Sequence, residues 1–85
     1  MKYTFSRHAL EQLGRRGIPR EMVERTIGAP GQVVPEFGGT VALQSQAEIN
    51  GKLFLLRVIV AFSGESGTVV TVYRISKINK YWKVT

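Results

Sequence analysis

The chain has no cysteine and no aspartate, one histidine and no acidic residue after Glu65. Without cysteine there are no disulfides and no thiolate metal ligands, a composition that fits a cytoplasmic chain. One histidine and six glutamates are too few for a structural zinc site, so no metal or cofactor is expected. No apolar run approaches the roughly 20 residues that span a bilayer. Met1-Lys2-Tyr3-Thr4 moves straight into helix signals without an apolar leader core, so no membrane association is expected. Gly38-Gly39 lies between strands with no helix after it, so no phosphate-binding glycine loop is present. Nucleophile-elbow and paired-carboxylate patterns are absent too.

What is present is apolar and basic. Eighty-five residues suffice for one domain, spanning 1–85, because two cores cannot be built from so little chain. The apolar fraction of 44% supplies a core and argues against disorder. Net charge is +6, and Arg74, Lys77, Lys80 and Lys83 all follow the last glutamate. A field of that sign draws in anionic groups, whether on nucleic acid, an anionic membrane or an acidic protein.

The first half of the chain reads as two short helices. Ser6 is a good N-cap, with Phe5 and Leu10 placed as a hydrophobic staple. Gly14 or Gly17 ends that helix. Pro19 opens a second one, whose apolar stripe is Met22, Val23 and Ile27 and which closes at Gly28 before Pro30. The second half reads as sheet: a short strand near 32–35, an alternating strand at 40–49, an apolar one at 52–62 and a β-branched one at 68–75. The expected architecture is α+β: two N-terminal helices packed on one face of a three- to four-stranded antiparallel meander. The last ten residues read either as a terminal strand or as a helical turn.

Register converts this into candidate residues. Asn50-Gly51 is the strongest hairpin signal, since both tolerate positive φ. A two-residue loop there pairs Ile49 with Lys52 and, counting back, Gln44 with Arg57. Leu43, Leu56, Val58 and Val60 then share the helix-covered face, and Arg57 lies on the other. If Phe62 pairs with Thr68 in the next hairpin, Arg57 also faces Tyr73, and Thr71 faces Ile59. Arg57 interrupts an otherwise apolar strand. It is either a charge paired with Glu48 or a glutamine carbonyl, or an anion clamp, because guanidinium matches phosphate geometry. His8, in the first helical turn, is either a packing and hydrogen-bonding residue or a proton-transfer group, with Gln12 and Arg16 in the same row. Lys77 and Lys80 alternate with Tyr81 and Trp82, a pattern that suits stacking with phosphate contacts or an ordinary solvated tail. Arg15 and Arg16 add a weaker basic signal.

Ser6-Arg7-His8-Ala9, Arg16-Gly17-Ile18, Leu56-Arg57-Val58-Ile59-Val60 and Val70-Thr71-Val72-Tyr73 appear in an order that resembles the small bacterial domain-of-unknown-function family 4258. That family looks related to the RelE/ParE-like toxin fold, within a wider group of metal-independent ribonucleases. The resemblance implies RNA handled on the open sheet face by His8, Arg16, Arg57, Thr71 and Tyr73. On this basis His8, Arg57 and Tyr73 are candidate catalytic residues of a toxin-like ribonuclease or a relic of one. Arg15, Arg16, Gln44, Thr71, Lys77 and Lys80 are candidate nucleic-acid contacts. The family's helix commonly carries an arginine four residues after its histidine, where this chain has Gln12. Expected partners are RNA or an acidic protein such as an antitoxin. The alternatives are a non-catalytic binding module and a homodimer formed through the edge of the strand at 40–49.

Overall fold

Runs of β-branched and aromatic residues in the second half of the chain form the sheet on which everything else is placed. A computed structural model describes residues 2–84. In chain order the elements are β1 (Lys2–Phe5), α1 (Arg7–Arg16), α2 (Arg20–Gly28), β2 (Gln32–Pro35), β3 (Val41–Ile49), β4 (Lys52–Ser63) and β5 (Ser66–Ile75). Short 3-10 turns occur at Phe37–Gly39 and Ile78–Lys80. The strands form one sheet in the order β1-β5-β4-β3-β2, with β1 parallel to β5 and every other pair antiparallel.

The α+β class is as expected, and the sheet is not: β3, expected to offer a free edge at 40–49, lies between β4 and β2. The sheet has five strands and is mixed, because Lys2–Phe5 leads into α1 as a strand and not as a loop. Tyr3 and Phe5 pack against the core. Gly67, opposite Tyr3 in the parallel ladder, leaves the space the ring occupies: a Cβ there would lie 2.7 Å from Tyr3 Cε1. Phe5 carries the Arg20 guanidinium 4.5 Å from its ring centre. Leu10, its expected staple partner, is 44% exposed.

Asn50 and Gly51 both adopt positive φ, as a two-residue hairpin turn of this hand requires. The resulting β3–β4 register pairs Gln44 with Arg57 and Ile49 with Lys52. The β4–β5 hairpin departs from expectation twice, and the departures cancel. Its turn is one residue tighter, so Phe62 pairs with Gly67 and not with Thr68. Val70 then bulges out of the ladder, which restores Ile59 opposite Thr71 and Arg57 opposite Tyr73. Ser6 ties that bulge to α1: its Oγ donates to the Val70 carbonyl at 2.9 Å while accepting from the Ala9 amide at 3.0 Å.

The helices lie on one face, α1 against β5 and α2 against β3 and β4. Ala9 and Leu13 of α1, Ile18, and Val23 of α2 join Leu43, Leu56, Val58, Val60, Val69 and Val72 in the core. Each fully buried aliphatic side chain there contributes roughly 1.5–3 kcal/mol. Gly17, in the left-handed conformation, ends α1, with the Ile18 amide bonding back to Leu13 at 2.9 Å. The opposite face, expected to be open, is covered around Arg57, while Ile59, Ala61 and Thr71 farther along it stay half-exposed. Residues after β5 turn once and run back over it as a strap, and Leu55, Ala42 and Gln44 beneath are fully buried. No helix among the described residues is long and apolar enough to cross a membrane.

Candidate nucleic-acid interface

Alternation along β4 sends Arg57 away from the helices, and the residues it meets determine its role. It is 3% exposed. Its Nε donates to Gln44 Oε1 at 2.9 Å and its Nη1 to the Tyr73 hydroxyl at 2.5 Å. Its Nη2 donates to the Glu36 carboxylate in a short ion pair. The Tyr81 ring centre stands 4.3 Å from its Cζ. Arg57 is therefore a satisfied charge, with a carboxylate, an amide oxygen, a hydroxyl and an aromatic ring around it, and it is not presented to solvent. The countercharge is Glu36, not the Glu48 considered from the sequence.

The strap is fastened over this pocket by two glutamines. Gln44 Nε2 donates to Gln32 Oε1 at 2.8 Å and to the Tyr81 carbonyl at 3.1 Å. Gln32 brackets Lys83, accepting from its amide at 2.9 Å and donating to its carbonyl at 2.5 Å. Trp82 lies over Gly31, where a Cβ would come within 3.0 Å of the indole. Gln44 is thus a strut under the strap and not a surface contact. Among the described residues no buried side-chain nitrogen or oxygen lacks a partner.

The sequence-derived candidates fall into two groups. Arg57, Tyr73 and Gln44 are brought together, with Thr71 half-buried on the same face two positions along β5 from Tyr73. His8 is not with them. It is exposed on α1, whose core contacts lie on the far side of the sheet from Arg57. A histidine and an arginine separated by a sheet cannot act on one scissile phosphate, so the expected trio of His8, Arg57 and Tyr73 is not one site.

Arg15, Arg16, Lys77 and Lys80 lie elsewhere, joined by a residue that the sequence marked only for its charge. Arg74, near the end of β5, stands opposite Leu56 and so turns toward the helix side, by the C-terminus of α1. It lines a cavity of about 490 Å³ with Gly14, Arg15, Arg16 and Gly17. It also lines a neighbouring one of about 430 Å³ with Phe54, Lys77, Lys80 and Tyr81. No acidic residue lines either. Arg74 Cζ stacks 4.4 Å from the centre of Phe54, and Lys80 Nζ stands 5.4 Å from that of Tyr81, both within cation–π range. The ion pairs found are Arg7–Glu11, Arg20–Glu24 and Arg57–Glu36, so among the described residues the five groove cations have no carboxylate partner.

A family model described as "Domain of unknown function (DUF4258)" matches residues 5–74. The chain belongs to that family. The match takes in β1's last residue, both helices, Arg57 with its partners Glu36, Gln44 and Tyr73, and Arg74. The strap, with Lys77, Lys80 and Tyr81, lies beyond it. No curated protein and no solved structure matches the chain. The DUF4258 assignment carries no activity, so the chemistry must be argued from the side chains.

Proposed function

We propose that this domain binds single-stranded nucleic acid, RNA foremost, along the groove of Arg15, Arg16, Arg74, Lys77 and Lys80. Kinship with RelE/ParE-like ribonucleases would then survive as a binding surface and not as a cleaving one. The observation that carries the reading is Arg74, which lines both cavities and so joins two basic clusters into one acid-free run. Guanidinium and ammonium groups, with Arg74 and Lys80 held against the Phe54 and Tyr81 rings, suit the phosphates of a single strand, and guanidinium planes suit its unstacked bases. Cleavage is disfavoured because Arg57 is neutralised by Glu36 and His8 lies across the sheet.

Fluorescence anisotropy of a labelled single-stranded RNA, titrated from 50 to 200 mM salt, tests this. Five phosphate contacts on a single strand give a log–log slope of about −3.5, a fall in affinity of roughly a hundredfold over that range. Arg74→Ala should weaken binding and flatten the slope by about 0.7. A flat salt dependence, or tight binding by an acidic peptide with no RNA binding, refutes the reading. RNA incubated with the protein and EDTA should stay intact. Degradation abolished by His8→Ala would overturn the binding-only conclusion.

A further inference from the structure

We infer that the cavity at the C-terminal end of α1 is a subsite for a terminal phosphomonoester, the phosphorylated end of a strand as distinct from its internal diesters. For the strand itself this rests on the nucleic-acid reading above. The subsite rests on its own geometry.

Three arginines, Arg15, Arg16 and Arg74, line the cavity together with Gly14 and Gly17. Two of the three are oriented before any ligand arrives. Arg16 Nε donates to Gln12 Oε1 at 2.6 Å, and Gln12 is itself 6% exposed. That bond fixes the guanidinium plane and leaves both terminal nitrogens to donate. Arg74 is held by its stacking on Phe54. Pre-set donors lose less entropy per hydrogen bond formed.

The cavity opens to solvent beside the two glycines, where a Cβ at either position would meet nothing within 4 Å. The backbone takes no part in recognition: the Gly17 amide already bonds back to Gly14 and the Ile18 amide to Leu13. The negative end of the α1 dipole, worth about half a charge, opposes an anion here, but three cations exceed it several-fold. A diester phosphate carries one negative charge and a monoester about 1.5 to 2 at neutral pH, so the charge gathered here suits the monoester. From Arg74 the groove continues past Phe54 to Lys77 and Lys80, which gives the rest of the strand a path.

The test uses one short RNA sequence in three forms: 5′-phosphorylated, 3′-phosphorylated and hydroxyl at both ends. Inorganic phosphate and adenosine monophosphate are added separately, and the Arg16 Nε–H signal is followed by NMR. One phosphorylated RNA should bind about tenfold more tightly than the dihydroxyl form, a difference within reach of one or two added charge-assisted bonds. Gln12→Ala, which frees Arg16 without removing a charge, and the exposed-site variant Arg15→Ala should each shrink that difference. Phosphate or the mononucleotide should shift the Arg16 signal.

Equal affinity for all three RNAs with an unmoved Arg16 signal overturns the subsite and leaves strand binding standing. An Arg16 shift with phosphate but no RNA binding keeps the subsite and removes the strand reading. No response to any probe overturns both.

Discussion

Removing the Glu36 carboxylate should show most sharply what Arg57 is for. Glu36→Ala leaves a guanidinium that is 3% exposed without the one carboxylate paired with it. Breaking a buried ion pair from one side costs about 3–5 kcal/mol. Arg57 keeps its bonds to Gln44 and Tyr73, and the Glu36 side chain is 30% exposed, so water reaches its edge. Those two facts bring the expected loss to about 2–3 kcal/mol. For a domain of this size that lowers the melting temperature by about 10–20 °C. Arg57→Met, which keeps side-chain length but strands Gln44 and Tyr73, should lose a similar amount. The double variant should lose less than the two together, with a coupling of about 1–2 kcal/mol. Urea unfolding followed by fluorescence of Trp82, the single tryptophan, measures all three, because the indole sits in the strap against Gly31, next to Tyr81 of this pocket. Each single variant within about 0.5 kcal/mol of the parent, with additive effects, would refute the structural role of the pair.

Ser6→Ala removes both the α1 cap and the bond to the Val70 bulge, and should cost about 1–2 kcal/mol. Ser6→Thr should recover most of it, and a loss below about 0.3 kcal/mol would show that the bulge holds without this link. Gly67→Ala should cost about 1–3 kcal/mol by overpacking against Tyr3. In a Tyr3→Ala background that penalty should shrink, as a denaturant titration of the four proteins would show, and an undiminished penalty would place the clash elsewhere.

Much of the sheet was legible because Asn50-Gly51 allows one turn geometry, and that turn sets every β3–β4 pair. The β4–β5 pairing was legible only through compensation: a tighter turn and the Val70 bulge offset each other, and neither has a mark in a β-branched run. β1 stayed hidden because four residues form a strand only against a partner more than sixty positions away, which no local pattern records. Glu36 was legible in principle, since Gln32, Val34 and Glu36 alternate onto the face that carries Gln44 and Arg57. Glu48 lies four residues along β3 from Gln44, roughly 13 Å by strand geometry, too far for the pair. The strap and the role of Arg74 were not legible. The first depends on amide brackets between Gln32, Gln44 and residues near the C-terminus, and the second on where β5 ends relative to α1.

The division of labour between a sealed Arg57 and an exposed basic groove is tested most directly by NMR titration of the labelled protein with a single-stranded RNA oligomer. Signals of Arg15, Arg16, Arg74, Lys77 and Lys80 should move together and saturate, while the side chains of Arg57 and Gln44 stay in place. Saturable shifts centred on Arg57, Gln44 and Tyr73, with the groove cations unmoved, would contradict the account.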